Sequence, residues 1–105
     1  MNADAKAACT TINGDIESAL AKVADAEKIG PPAGHSAVSA QYSAGAAGLY
    51  AHTFTSSATV NDAVKAVTTA MSELADTYAT NPAKKPSTAA LDTAVKQVRT
   101  ACAAG

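Results

Sequence analysis

Two cysteines, Cys9 and Cys102, stand near opposite ends of a 105-residue chain that contains no others. Each falls on the apolar stripe of a terminal amphipathic segment, so both are expected to face one core. A bridge between them closes nearly the whole chain into a loop. In the chain-entropy account, restricting the unfolded ensemble over that span contributes about 4–5 kcal/mol. Such a bond persists in an oxidising compartment, which points outside the cytosol. The opposing arrangement is a pair of reduced, buried cysteines acting as small hydrophobes. A metal centre is disfavoured, because the cysteines have no companion ligands at a recognised spacing.

A staple matters because the rest of the chain offers a thin core. Alanine fills 28 positions, threonine and serine together 20; Phe54 is the one phenylalanine and there is no tryptophan. Alanine forms helix readily, losing no side-chain entropy, but it buries little area. The length suits one domain spanning residues 1–105. Net charge is −1 and Lys84-Lys85 is the longest basic run, which argues against nucleic-acid binding. No apolar run approaches the roughly 20 residues of a membrane span. The N-terminal segment is polar and alanine-rich, unlike a signal peptide, so a secreted form is expected here as the mature chain.

Hydrophobic periodicity predicts four helices. The first covers about residues 4–28, with Cys9, Ile12, Ile16, Leu20 and Val23 at spacings of three and four. Gly30-Pro31-Pro32-Ala33-Gly34 then reads as a loop. Ser36 is the expected N-cap of a second helix over about 37–55, whose stripe is Val38, Tyr42, Gly45, Leu49 and His52. Gly45 and Gly48 are costly inside a helix and are read as places where a neighbouring backbone comes close. Ser56-Ser57-Ala58 marks the next break. Thr59 and Asp62 resemble a capping box opening the third helix. Its stripe is Val60, Val64, Val67, Met71, Leu74 and Tyr78, the spacing of a shallow-angle bundle seam. Residues 80–87, with Pro82 and Pro86, form a loop. The fourth helix runs from Ser87 or Thr88 to about Ala101, carrying Leu91, Ala94, Val95, Val98 and Cys102.

Short connections make sequential helices antiparallel, so the expected architecture is all-α: a four-helix, up-down-up-down bundle. That topology brings the start of the first helix and the end of the last to the same end of the bundle. Cys9 and Cys102 lie there, on the inward stripes, and the fold is therefore expected to be closed by one disulfide.

For chemistry the inventory is short. No nucleophile–base constellation, paired-carboxylate arrangement, phosphate loop or metal-binding histidine spacing is present, so the expectation is no enzyme, no metal and no cofactor. Tyr42 and His52 share a stripe, and either side chain can ligate haem iron. Ten residues of helix separate them by about 15 Å, too far to clasp one iron together. His35 falls in the first loop. Tyr50 and Phe54, four apart near the end of the second helix, either form an exposed aromatic pair for a partner or pack under the 56–59 loop.

The segments Ala8-Cys9-Thr10-Thr11-Ile12, Val60-Asn61-Asp62-Ala63-Val64-Lys65-Ala66-Val67 and Val98-Arg99-Thr100-Ala101-Cys102 resemble small secreted proteins of actinobacteria. In these an alanine-rich helical domain begins with a Cys-containing helix and ends a few residues past a second cysteine. The resemblance implies secretion and a helical fold, and lends no catalytic residues. Length and alanine content are also similar to WXG100-type secretion substrates. That likeness lacks the Trp-X-Gly turn and the tyrosine followed by an acidic residue four positions on.

These readings lead to an expected non-enzymatic, extracytoplasmic binding module, monomeric, with a protein or cell-envelope partner, secreted or at the envelope exterior. One alternative is a carrier of a hydrophobic ligand or haem in the bundle core, with Tyr42, His52, Gly45 and Gly48 around the ligand. Another is a small secretion substrate that depends on its partner. In the first reading Tyr50 and Phe54 carry the contact.

Overall fold

Asn2 starts the first helix, α1 (Ala3–Glu27): in extended backbone, its side-chain oxygen accepts the amide of Ala5 at 2.9 Å. That contact satisfies one of the donors every helix start leaves unpaired. The chain is described, in this computed structural model, over residues 2–81 and 85–104. Gly30, at φ +80°, turns the backbone after α1 through the left-handed region that favours glycine.

The second helix, α2 (Ala33–Tyr50), differs from expectation at both ends. It begins at Ala33, directly after Pro32, rather than at 37, and Ser36 is not its cap. A proline is well tolerated at a helix start, where its missing N–H would be unpaired anyway. The amide of Gly34 reaches the carbonyl of Gly30 at 2.7 Å, and that of His35 the carbonyl of Pro32 at 3.2 Å. Gly34 is buried so tightly that a Cβ would sit 3.3 Å from the carbonyl oxygen of Ala26. The Gly/Pro stretch is thus a close helix–helix turn and not an open loop. At the other end α2 stops at Tyr50, so His52 and Phe54 lie in the connection and not on the helix.

Ser57 caps the third helix, α3 (Ala58–Thr80), accepting the amide of Val60 at 3.3 Å. The expected cap, Thr59, is already inside the first turn. Thr88 precedes the fourth helix, α4 (Ala89–Ala103), close to the expected start. There the hydroxyl of Ser87 accepts the amide of Ala89. Of the expected 80–87 loop, Thr80 belongs to α3, and residues 82–84, Pro82 included, lie outside the described residues.

The four helices form an up-down-up-down bundle about 45 × 18 × 18 Å, and the described residues contain no strand. Consecutive helices pack most extensively, and α1 and α4 less so. The whole α3 stripe, from Val60 to Tyr78, is buried, as are Ile12, Ile16, Val23, Leu91, Val95 and Val98. Leu20 is only partly buried, with Ala19 taking the inward position beside it. At Gly45 α2 comes close to α1 and α3. A Cβ there would lie 3.1 Å from the Cβ of Ala19 and 3.2 Å from the Sδ of Met71. Gly48 faces open space and brings nothing close. Cys9 and Cys102 are joined, with Cα atoms 5.8 Å apart and a sequence separation of 93. No helix among the described residues is long and apolar enough to cross a membrane.

Candidate functional site

The residues between α2 and α3 are fixed by a dense set of local hydrogen bonds. The hydroxyl of Thr53 donates to the carbonyl of Tyr50 at 2.8 Å, and Thr53 is itself buried. Threonine hydroxyls bond backbone carbonyls one turn back in this way, here tying the first residues of the connection to the last turn of α2. Asn61, in the first turn of α3, reaches back to Thr55. Its side-chain oxygen accepts both the amide and the hydroxyl of Thr55, at 2.8 and 2.6 Å, and its amide group donates to the Thr55 carbonyl at 2.9 Å. The hydroxyl of Ser56 donates to the side-chain oxygen of Asn2 at 2.9 Å, binding the turn to the start of α1. His52 Nε2 lies 2.7 Å from a carboxylate oxygen of Asp15, a second tie to α1.

With Thr53 pointing inward and Thr55 clamped, Phe54 is turned out to solvent. It is 75% exposed and Tyr50 57% exposed. Their ring centroids are 5.9 Å apart at 88°, the edge-to-face geometry favoured by aromatic quadrupoles. They do not pack under the 56–59 segment. The two rings form an aromatic surface on a clamped turn, at the end of the bundle that carries the disulfide.

The other named residues are dispersed. Tyr42 is buried at the α1–α2 turn end, its ring stacked on Tyr78 with centroids 6.1 Å apart. His35 meets Tyr78 edge-on at 5.2 Å. Burial, then the neighbouring Tyr78, Glu27 and Asp92, push the Tyr42 hydroxyl up to about 12. Burial followed by Glu27 also raises Tyr78. A phenol held protonated this strongly is a poor donor to a metal, which binds the deprotonated form. The hydroxyl of Tyr78 and Nδ1 of His35 are buried with no hydrogen-bond partner.

The structure does not bring Tyr42, His52, Gly45 and Gly48 together. The two glycines line an open cleft of about 240 Å³ between α1 and α2, beside Asp15, Lys22 and Gln41. Tyr42 is in the core, and His52 is engaged with Asp15. Among the described residues no group of three or more His, Cys, Asp or Glu is arranged to hold a metal ion.

The His35–Tyr78–Tyr42 stack was not visible in the sequence pattern, because His35 was placed in a loop rather than in α2. A second feature also went unmarked there. An open groove of about 570 Å³ runs between α2 and α3 from Tyr50 toward Glu73 and Asp76. The signal available was that Glu73 and Asp76, three apart on α3, share one exposed face. No family model, curated protein or solved structure matches this chain.

Proposed function

We propose that this chain is a disulfide-stapled, extracytoplasmic binding module that acts by contact rather than catalysis, and that Tyr50 and Phe54 carry the contact. One observation supports this above the others. Four aromatic side chains are available to a thin core, and two of them stand outside it as a pair on a turn held by hydrogen bonds. Burying a phenylalanine is worth about 1.5–3 kcal/mol, so its exposure forgoes stabilisation that a small alanine-rich bundle lacks. Aromatic residues are enriched in protein interfaces, and a pre-ordered surface loses less entropy on binding. The disulfide favours an oxidising compartment.

The two alternatives have less in their favour. As a carrier, the chain would need Tyr42 free, whereas that ring is buried in a stack. As a partner-dependent secretion substrate it would leave an apolar face uncovered, whereas the four helices bury their stripes against one another.

The test is a photo-crosslinking phenylalanine analogue at position 54 or, as reference, at position 17 on the exposed face of α1, in protein made by its own host. The expected result is a discrete adduct from position 54 alone, lost when Tyr50→Ser is added. Equal adducts from both positions, or none from position 54, would sink the proposal. Intact mass of the same secreted protein, two hydrogens below the reduced value, is the expected sign of an oxidising destination.

A further inference from the structure

The groove between α2 and α3 begins at one of the two exposed rings. We infer that it receives a basic amphipathic helix from a partner protein, with apolar side chains on Tyr50 and cationic ones at Glu73 and Asp76. The inference rests on the reading of Tyr50 and Phe54 as a contact surface and names the chemistry of what they contact.

Three properties of the groove carry it. Its floor and walls are small, with Ala46 and Ala47 on α2 and Thr68 and Ser72 on α3, so an approaching helix can come near without displacing bulk. It is open to solvent along its length, at about 570 Å³ larger than the α1–α2 cleft and similar to the grooves beside α4. It is also held in shape. The hydroxyl of Ser39 donates to the carbonyl of Ala75 at 2.7 Å, tying α2 to α3 toward its far end, and Gly45 seats α2 against Met71. Helix-in-groove recognition uses this kind of geometry, reading anchors at one face of the incoming helix.

Charge selects the occupant. Both carboxylates that line the groove, Glu73 and Asp76, are exposed, and no Lys or Arg lines it with them. No described cation forms an ion pair with either one. The positive charge therefore comes from the partner. A second copy of this chain, docked groove to groove, would instead bring four carboxylates together, and like charges in an interface oppose association. An anionic lipid surface is repelled for the same reason.

The experiment uses the full oxidised chain, isotope-labelled for NMR. The probes are two synthetic helical peptides of about four turns. One carries leucine, alanine and lysine in an amphipathic pattern; its counterpart has glutamate in place of lysine. The lysine peptide is expected to shift the resonances of Ala47, Tyr50 and Ser72, and the glutamate peptide to leave them in place. The surface double variant Glu73→Gln/Asp76→Asn is expected to weaken binding by about tenfold, equivalent to ~1.4 kcal/mol. Tyr50→Ser is expected to weaken it by a similar factor, and the spectrum of each free variant shows that the bundle is intact.

No binding of the lysine peptide, equal binding of both peptides, shifts confined to other faces, or unchanged affinity in the double variant would each overturn the inference. So would self-association of the chain that the double variant strengthens, which would make a second copy the occupant. Crosslinks from position 54 that persist in the double variant would overturn the groove and leave the aromatic contact standing. Loss of those crosslinks in Tyr50→Ser alone, with no peptide effect, reads the same way.

Discussion

Tyr42 shows how strongly one buried hydroxyl is governed by its setting. Its ordinary pKa of 10.0 is the value it has in the unfolded chain; in the fold it is about 12. Below pH 10 the phenol is protonated in both states and stability does not depend on it. Between 10 and 12 the unfolded chain gives up a proton that the native state keeps, so stability falls as pH rises. Urea unfolding at about pH 9 and pH 11 is expected to show a loss about 1 kcal/mol larger in the wild type than in Tyr42→Phe. Equal losses would mean that the hydroxyl titrates alike in both states. The inward placement of Tyr42 was legible from its stripe. Its pairing with Tyr78 was not, because two stripes read separately do not give the register of α2 on α3.

Helix ends were the least legible elements, and the reason is competition among equivalent side chains. Around the α2–α3 connection stand Thr53, Thr55, Ser56, Ser57 and Thr59, each able to cap or to bond its own backbone. Sequence spacing favoured Thr59 with Asp62. The structure uses Ser57, because Asn61 holds Thr55 and so brings the extended segment into α3 at that point. Ser57→Ala is therefore expected to cost about 1 kcal/mol, and Thr59→Ala to change stability by only a few tenths. Chemical denaturation of the two variants separates these assignments, and the reverse order would restore Thr59 as the cap. Helix interiors were far more legible. A stripe that repeats over six positions of α3 outweighs any single local choice, and all six are buried.

At the scale of the molecule, topology and covalent closure support each other. Short connections place α1 and α4 side by side, and the two cysteines meet where that arrangement puts them. α1 and α4 pack less extensively than the consecutive pairs, and the bridge is a covalent link between them. Cys9→Ser/Cys102→Ser is expected to lower stability by about 4 kcal/mol. For a domain of this size that is a fall in melting midpoint of some tens of degrees. A midpoint indifferent to the substitution would mean that packing alone holds α1 to α4. The groove along α2 and α3 escaped the sequence reading for a related reason. Its walls are alanine, serine and threonine, whose small size shapes a surface without leaving a periodic apolar signal.

The ring made by Cys9 and Cys102 also has mechanical and topological consequences. Tension applied to the chain on either side of Cys9 and Cys102 runs across the sulfur–sulfur bond, so the segment between them carries no load. Pulling unravels only helix outside the ring, such as the first turns of α1. A protease that cuts once between the cysteines opens the ring but releases no fragment. Passage through a pore that admits a single extended strand has to come before the bond forms, since afterwards the chain enters as a doubled loop.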